Sequence, residues 1–204
     1  MRIPSVSQAE GFLGEARILN PGPWIEHCQH TANAARLIAQ HHPELDPEIA
    51  YTLGLLHDIG RREGRSHLRH VVDGYYYLEE MGYSDAAQIC LTHSFPVKEI
   101  DSYFGDKDIS PRQLILLVER LDETEYGPYD RLIQLCDALA LPSGFCLLEK
   151  RMVDVALRYG TNKHTAAKWK QVMSIRDDFA RELDRSIYSV LPGVVENTFF
   201  VTAH

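Results

Sequence analysis

His57 and Asp58 stand side by side at the end of the apolar run Tyr51-Thr-Leu-Gly-Leu-Leu-His57-Asp58-Ile-Gly60. An imidazole nitrogen and a carboxylate oxygen are donors that can share one divalent ion. Asp46 is the expected N-cap of the helix that carries them, and Pro47 its first residue, where a missing N–H does no harm. Ile49, Ala50, Leu53 and Leu56 follow at helical spacing, which puts His57 on the buried stripe. Gly60 is expected to turn left-handed at the helix C-terminus. Neighbouring helical residues point roughly 100° apart, so the two side chains reach a common ion only beside the helix end, where the backbone relaxes. A histidine in a row of leucines is costly unless something binds it. Taken alone, the pair is equally a histidine capping its own helix.

Four more residues widen the constellation. His30 sits in His30-Thr-Ala-Asn-Ala-Ala35, among small residues that let another helix approach closely. His70 opens His70-Val-Val-Asp-Gly74, His93 ends Ile89-Cys-Leu-Thr-His93, and Asp137 interrupts the apolar Leu135-Cys-Asp137-Ala-Leu139. Each alone reads as a satisfied core histidine or a capping aspartate. Together they put imidazole and carboxylate donors on five helices, and a carboxylate within an aliphatic stripe needs a partner. Such donors suit Fe, Mn, Co, Ni or Zn and argue against a thiolate site.

The elements that must position these residues are all helical. Ser5 and Gln8 form a capping box for a helix towards Ile18, and Asn20-Pro-Gly-Pro23 breaks it. A second helix is expected from Trp24 to about Gln40, then the His57 helix, then one from near Ser66 to Met81 with Gly82 as its stop. Ser84-Asp85 starts the helix that ends at His93. Phe95 to Asp108 is irregular and acidic, a candidate lid or rim. Ser110-Pro-Arg-Gln113 opens a helix to Leu121. Further helices run from Tyr129 to Leu141, on to Tyr159 with Gly160 as terminator, and from about Asn162 to Leu191. No window alternates apolar and polar residues as a strand would. The expectation is an all-α fold: an N-terminal helix over residues 1–22, a helical core over 23–141, and a C-terminal helical extension over 142–204 packed on the same domain. The last helix is a candidate dimer contact.

The 204 residues can bury a substantial core. A net charge of −8 argues against nucleic acid or an anionic membrane as partner, so an anionic substrate would need a local basic pocket or a metal. Cys28, Cys90, Cys136 and Cys146 have no C-x-x-C spacing and read as core residues in a reducing compartment. With no basic segment followed by an apolar one at the N-terminus, the chain is expected in the cytoplasm.

His30-xxx-Ala-Ala, Leu-Leu-His57-Asp58-Ile-Gly and Cys-Asp137-Ala-Leu resemble the H…HD…D signature of the HD-domain metal-dependent phosphohydrolases. The resemblance covers about residues 24–141. It implies an HD-domain helical bundle in which His30, His57, Asp58 and Asp137 bind a metal. Branches of the family that hydrolyse diadenosine tetraphosphate add two histidines, matched here by His70 and His93. That implies two ions, with Asp58 bridging, and makes Asp58 and His57 the catalytic pair. His27 and His67, each three residues from a proposed ligand on a similar face, are the alternates, expected to stand behind the ligands or to be exposed. The implied reaction is attack of a metal-activated hydroxide on a phosphate ester or anhydride, the substrate being small and nucleotide-like. Arg61, Arg62 and Arg65, directly after Asp58, are positioned to clamp phosphate, and equally to form a solvated basic loop. Tyr75, Tyr76 and Tyr77 could offer one or two rings to a base, though packing or surface roles suit them better. Two other classes share the fold: di-iron oxygenases with the same six donors, and non-catalytic signalling modules, which generally lack them.

Overall fold

A computed structural model describes residues 1–199, so the last five residues of the extension lie outside it. Among the described residues the chain forms ten α-helices and one two-residue hairpin. The helices are α1 (Val6–Leu19), α2 (Trp24–Ala39), α3 (Pro47–Leu56), α4 (Arg69–Glu80), α5 (Ser84–Thr92), α6 (Pro111–Glu123), α7 (Pro128–Leu139), α8 (Leu148–Tyr159), α9 (Thr165–Glu182) and α10 (Val194–Phe199). The hairpin pairs β1 (Ala140–Leu141) with β2 (Gly144–Phe145) across the Pro142-Ser143 turn. No helix among the described residues is long and apolar enough to cross a membrane.

The helix starts follow their caps. Gln8 N–H donates to Ser5 Oγ at 3.3 Å while Ser5 N–H donates to Gln8 Oε1 at 2.9 Å, and Ser110 with Gln113 repeats the arrangement on α6. Asp46 Oδ1 accepts from Glu48 and Ile49 at 2.8 and 3.1 Å, with Pro47 the first residue of α3. The ends are less regular than the sequence suggests. The last long helix stops at Glu182 rather than reaching Leu191, because Asp184 takes a left-handed φ of 49°. Arg185 N–H then donates back to Ala180 at 3.1 Å and Asp184 N–H to Arg181 at 3.2 Å, a Schellman closure built on aspartate where glycine is the usual signal. Similarly, α7 stops at Leu139 and its expected last two residues form β1.

The α2–α3 crossing organises the core. Gly54 meets the α2 backbone so closely that a Cβ there would lie 2.5 Å from Ala32 Cα. The main cluster of buried side chains runs from Ala9, Leu13 and Ala16 of α1 through α2, α3 and α7. It continues without a break into Leu148, Val172, Ile175 and Phe179 of α8 and α9. The helices after residue 141 therefore share one apolar interior with those before it. A smaller cluster of Leu68, Val71, Phe95, Leu117 and Leu121 holds α4 and α6 against the loop after α5.

Candidate metal centre

Asp58 stands at the meeting point of α3 and α4 because the helix ends one residue earlier. His57 keeps helical angles as the C-cap, but Asp58 moves to φ −106°, ψ 14°, and a 3₁₀ turn over Ile59–Glu63 follows. This departure swings the Asp58 carboxylate off the helical progression and towards its neighbour. Gly60 is not left-handed as expected from sequence; the positive φ in this turn falls on Gly64, at φ 111° and ψ −177°. The demand on Gly60 is space: a Cβ there would lie 2.0 Å from the His70 carbonyl oxygen and 2.4 Å from the Gly74 nitrogen. Gly74 in turn faces Cys90 Sγ, 3.0 Å from where its own Cβ would be. These two glycines let α4 lie directly on the turn after Asp58 and bring His70 to it.

Two donor groups share Asp58. His27, His57 and Asp58 each offer a ligand atom within 4.8 Å of the others, and so do Asp58, His70 and His93. The carboxylate divides between them. Its Oδ1 lies 2.9 Å from His70 Nε2 and 3.4 Å from His93 Nε2, while its Oδ2 lies 4.0 Å from His57 Nε2. Asp137 joins the first group through His27, with Nε2 and Oδ1 3.0 Å apart.

The outer nitrogens fix which atoms face inward. His57 Nδ1 donates to the Gly54 carbonyl at 2.7 Å, His93 Nδ1 to Ile89 at 3.2 Å, and His70 Nδ1 to His67. A carbonyl only accepts, so each Nδ1 carries a proton and each ring aims its Nε2 inward. His57 Nε2 is buried with no hydrogen-bond partner among the described residues. His70 and His93 present Nε2 atoms 3.4 Å apart to one carboxylate oxygen. Ser94 Oγ, 3.0 Å from His93 Nε2, supplies one hydroxyl there. This convergence of imidazole and carboxylate atoms fits a divalent transition metal.

The electrostatics point the same way. Burial pushes His57 down to about 4, with Asp58 only partly opposing, so its ring is neutral and available. His70 is lowered by burial and then by Arg61. Burial would raise Asp58, but the Arg61 guanidinium, then His70 and His57, hold it well below the usual carboxylate range. Asp137 is depressed likewise, burial being outweighed by its bond to His27. Both carboxylates are therefore anionic throughout the neutral range.

The sequence-derived residues sort clearly. His57, Asp58, His70, His93 and Asp137 come together. His30 does not: it is half-buried on the flank of α2, its ring edge-on to Phe145 at 5.7 Å. The imidazole at the centre is His27, one turn earlier, 5.2 Å ring to ring from His57. Its signal is present in the sequence, since Thr31, Ala34 and Ile38 repeat its face while His30 lies beside that stripe. His67 is partly exposed and serves through its carbonyl. Of the arginines only Arg61 meets the centre, donating through Nε to Asp58 Oδ2. Arg62 turns away to lie over the Tyr77 ring, 4.0 Å from its centroid, and Arg65 is exposed. None of Tyr75, Tyr76 and Tyr77 lines the cavity.

The centre opens into a cavity of about 470 Å³. His27, Asp58, His70, His93 and Asp137 form its floor, and Tyr103 and Phe104 place the irregular 95–108 segment on its rim. Arg151 and Arg158 of α8 and Lys168 of α9 also line it, Arg151 standing 4.0 Å from Asp137, and the local pattern around the donors does not indicate them. A buried polar brace fixes α5 to α7 beneath it. Asp130 accepts from Thr92 Oγ1 at 2.7 Å and from Gln88 Nε2 at 3.1 Å, and Gln134 Nε2 donates to the Thr92 carbonyl at 2.9 Å. That brace fixes the end of α5, which leads into His93, against α7, which carries Asp137.

No curated protein and no solved structure matches the chain. The family model of the HD domain matches residues 24–141, more than half of the chain and the span from the start of α2 to the end of β1. With the His-Asp pair at the end of α3 and the distant Asp137 across the same centre, the chain belongs to the HD-domain family, whose members are typically metal-dependent hydrolases.

Proposed function

We propose that the chain is a two-metal phosphohydrolase acting on a phosphate ester or anhydride of a nucleotide-like substrate. The observation that carries this reading is the divided Asp58 carboxylate, with one oxygen towards His57 and the other towards His70 and His93. His27, His57, Asp58 and Asp137 would hold one ion, and Asp58, His70 and His93 the other. Divalent ions in such a pair supply Lewis-acid polarisation of a phosphoryl oxygen and a water nucleophile at neutral pH.

The chain's own residues do the rest. The backbone acceptors at Gly54, His67 and Ile89 lock the three rings in the tautomer that presents Nε2. Arg61, anchored to Asp58 through Nε, keeps guanidinium nitrogens at the cavity wall for a phosphoryl oxygen. The rings of Tyr103 and Phe104, both in the cavity lining, would limit bulk water around the reacting phosphate. A basic cavity wall in a protein of net charge −8 favours a phosphorylated ligand over a neutral one.

The test is a panel of nucleoside mono-, di- and triphosphates and simple phosphate esters, offered to protein loaded with Mn, Fe, Co, Ni or Zn. Release of orthophosphate or a nucleoside monophosphate with at least one metal, and none after chelation, is expected. Oxygen consumption by iron-loaded protein, with no phosphate compound turned over, would replace this reading with a di-iron oxygenase.

A further inference from the structure

Four cationic side chains line the cavity, and two of them already have their charge met at hydrogen-bond distance. Arg61 is taken by Asp58, and Arg158 by Asp154 at 2.7 Å. The other two are not. Among the described residues Arg151 reaches no carboxylate more closely than 3.8 Å from Asp154 and 4.0 Å from Asp137, beyond hydrogen-bond range, and its side chain is only 21% exposed. Lys168 Nζ donates to two carbonyls, Ser94 at 2.9 Å and Ser102 at 3.3 Å, and lies 4.9 Å from the centroid of the Phe104 ring, which leaves one of its three hydrogens free and no carboxylate bonded to it among the described residues. Both residues come from α8 and α9, outside the span matched by the family model. A half-buried cation whose nearest carboxylates stand beyond hydrogen-bond range is only partly compensated, and a ligand anion at contact distance completes it. One phosphate at the metal centre already has Arg61 beside it, so Arg151 and Lys168 exceed what a single phosphoryl group requires.

We propose that Arg151 and Lys168 form a second anion subsite, which receives a phosphate adjacent to the scissile one. The substrate class is then a phosphoanhydride, such as a nucleoside diphosphate or a longer chain, in preference to a monoester. The inference rests on the phosphohydrolase reading for its substrate class, but the subsite itself does not. Lys168 also ties the rim to the centre, since its two acceptors flank the 95–101 stretch that leads to Tyr103. It is therefore a binding residue that also positions the rim, whereas Arg151 has no such second duty.

The subsite is tested first without metal or turnover. Calorimetric titration of chelator-treated protein with inorganic pyrophosphate should show saturable binding. Arg151→Gln should weaken it by at least about tenfold, the loss of one charge-assisted contact, while Arg151→Lys retains most of it. Lys168→Gln should weaken it likewise, and circular dichroism of Arg151→Gln should match the wild type. Absence of pyrophosphate binding, or equal binding by wild type and Arg151→Gln, overturns the proposal. In metal-loaded protein, Arg151→Gln should raise KM for a nucleoside diphosphate about tenfold and change that for the monophosphate less than about twofold. Equal effects on both would also overturn it. If no phosphate compound is hydrolysed while pyrophosphate still binds through Arg151, the hydrolase reading falls and the subsite stands. Hydrolysis with unaltered pyrophosphate binding by Arg151→Gln would instead remove the subsite and leave the hydrolase reading in place.

Discussion

Replacing Asp58 by alanine is expected to remove metal from both donor groups and with it all measurable hydrolysis. Every other candidate ligand belongs to one group, whereas Asp58 faces His57 with one oxygen and His70 and His93 with the other. Disturbing even a residue that merely orients a ligand costs about 10–100-fold in metal affinity, and a shared ligand removes a bond from each ion. The effect on folding should be smaller. Asp58 is buried and compensates Arg61, but the Arg61 side chain is 28% exposed and can turn to water. Loss of the pair should cost about 1–3 kcal/mol, against the larger penalty for a fully buried orphan charge. Asp58→Asn keeps the shape and one good donor oxygen, so it should retain the fold and part of the metal. Full metal content in Asp58→Ala, measured after desalting, would remove Asp58 from the centre.

Gly60→Ala is expected to be the most destabilising single methyl in the molecule. The added Cβ would sit 2.0 Å from the His70 carbonyl oxygen and 2.4 Å from the Gly74 nitrogen, both backbone atoms that no rotamer change can move. Relief requires α4 to retreat from the turn after Asp58, opening the contact that delivers His70. Overpacking commonly costs about 1–3 kcal/mol and more when the backbone must shift, so about 3 kcal/mol or more is expected. For a chain of this size that lowers Tm by roughly 6–12 °C. Gly14, on α1 with nothing within 4 Å of its Cβ position, is the control. There alanine should raise stability by about 0.4–1 kcal/mol. A Gly60→Ala protein melting within about 2 °C of wild type, well short of that shift, would show that the α4 contact is loose.

Much of the fold is legible in the sequence because the local signals are strong and unopposed. Ser5-Gln8, Ser110-Gln113 and Asp46-Pro47 each supply a side-chain acceptor and a compatible first turn, and the helices start where they say. The end of α9 is not legible because Asp184 takes the place of a glycine, and an aspartate in an amphipathic, charged helix gives no stop signal. Gly60 stands out in the sequence for the wrong property. Sequence shows that a side chain is missing, while only the structure shows whether φ or a neighbouring backbone requires it. Choosing between His27 and His30 needs the phase of α2 to within one residue, and the small residues around His30 draw attention to the wrong one; the buried stripe of Thr31, Ala34 and Ile38 favours His27. Arg151 and Lys168 are illegible for another reason. Nothing in a charged amphipathic helix says which cation folds back over a centre built largely from much earlier residues.

The central claim is a centre of two ions held around Asp58 with His27 as a ligand, and metal content after saturation and desalting tests it most directly. Elemental analysis should give two divalent ions per chain for wild type and for His30→Ala, falling to about one or fewer for His27→Ala, His70→Ala and His93→Ala, since each of these three removes a ligand from one ion. A wild type that never exceeds one ion, or a His30→Ala protein that loses metal while His27→Ala keeps two, would contradict the account.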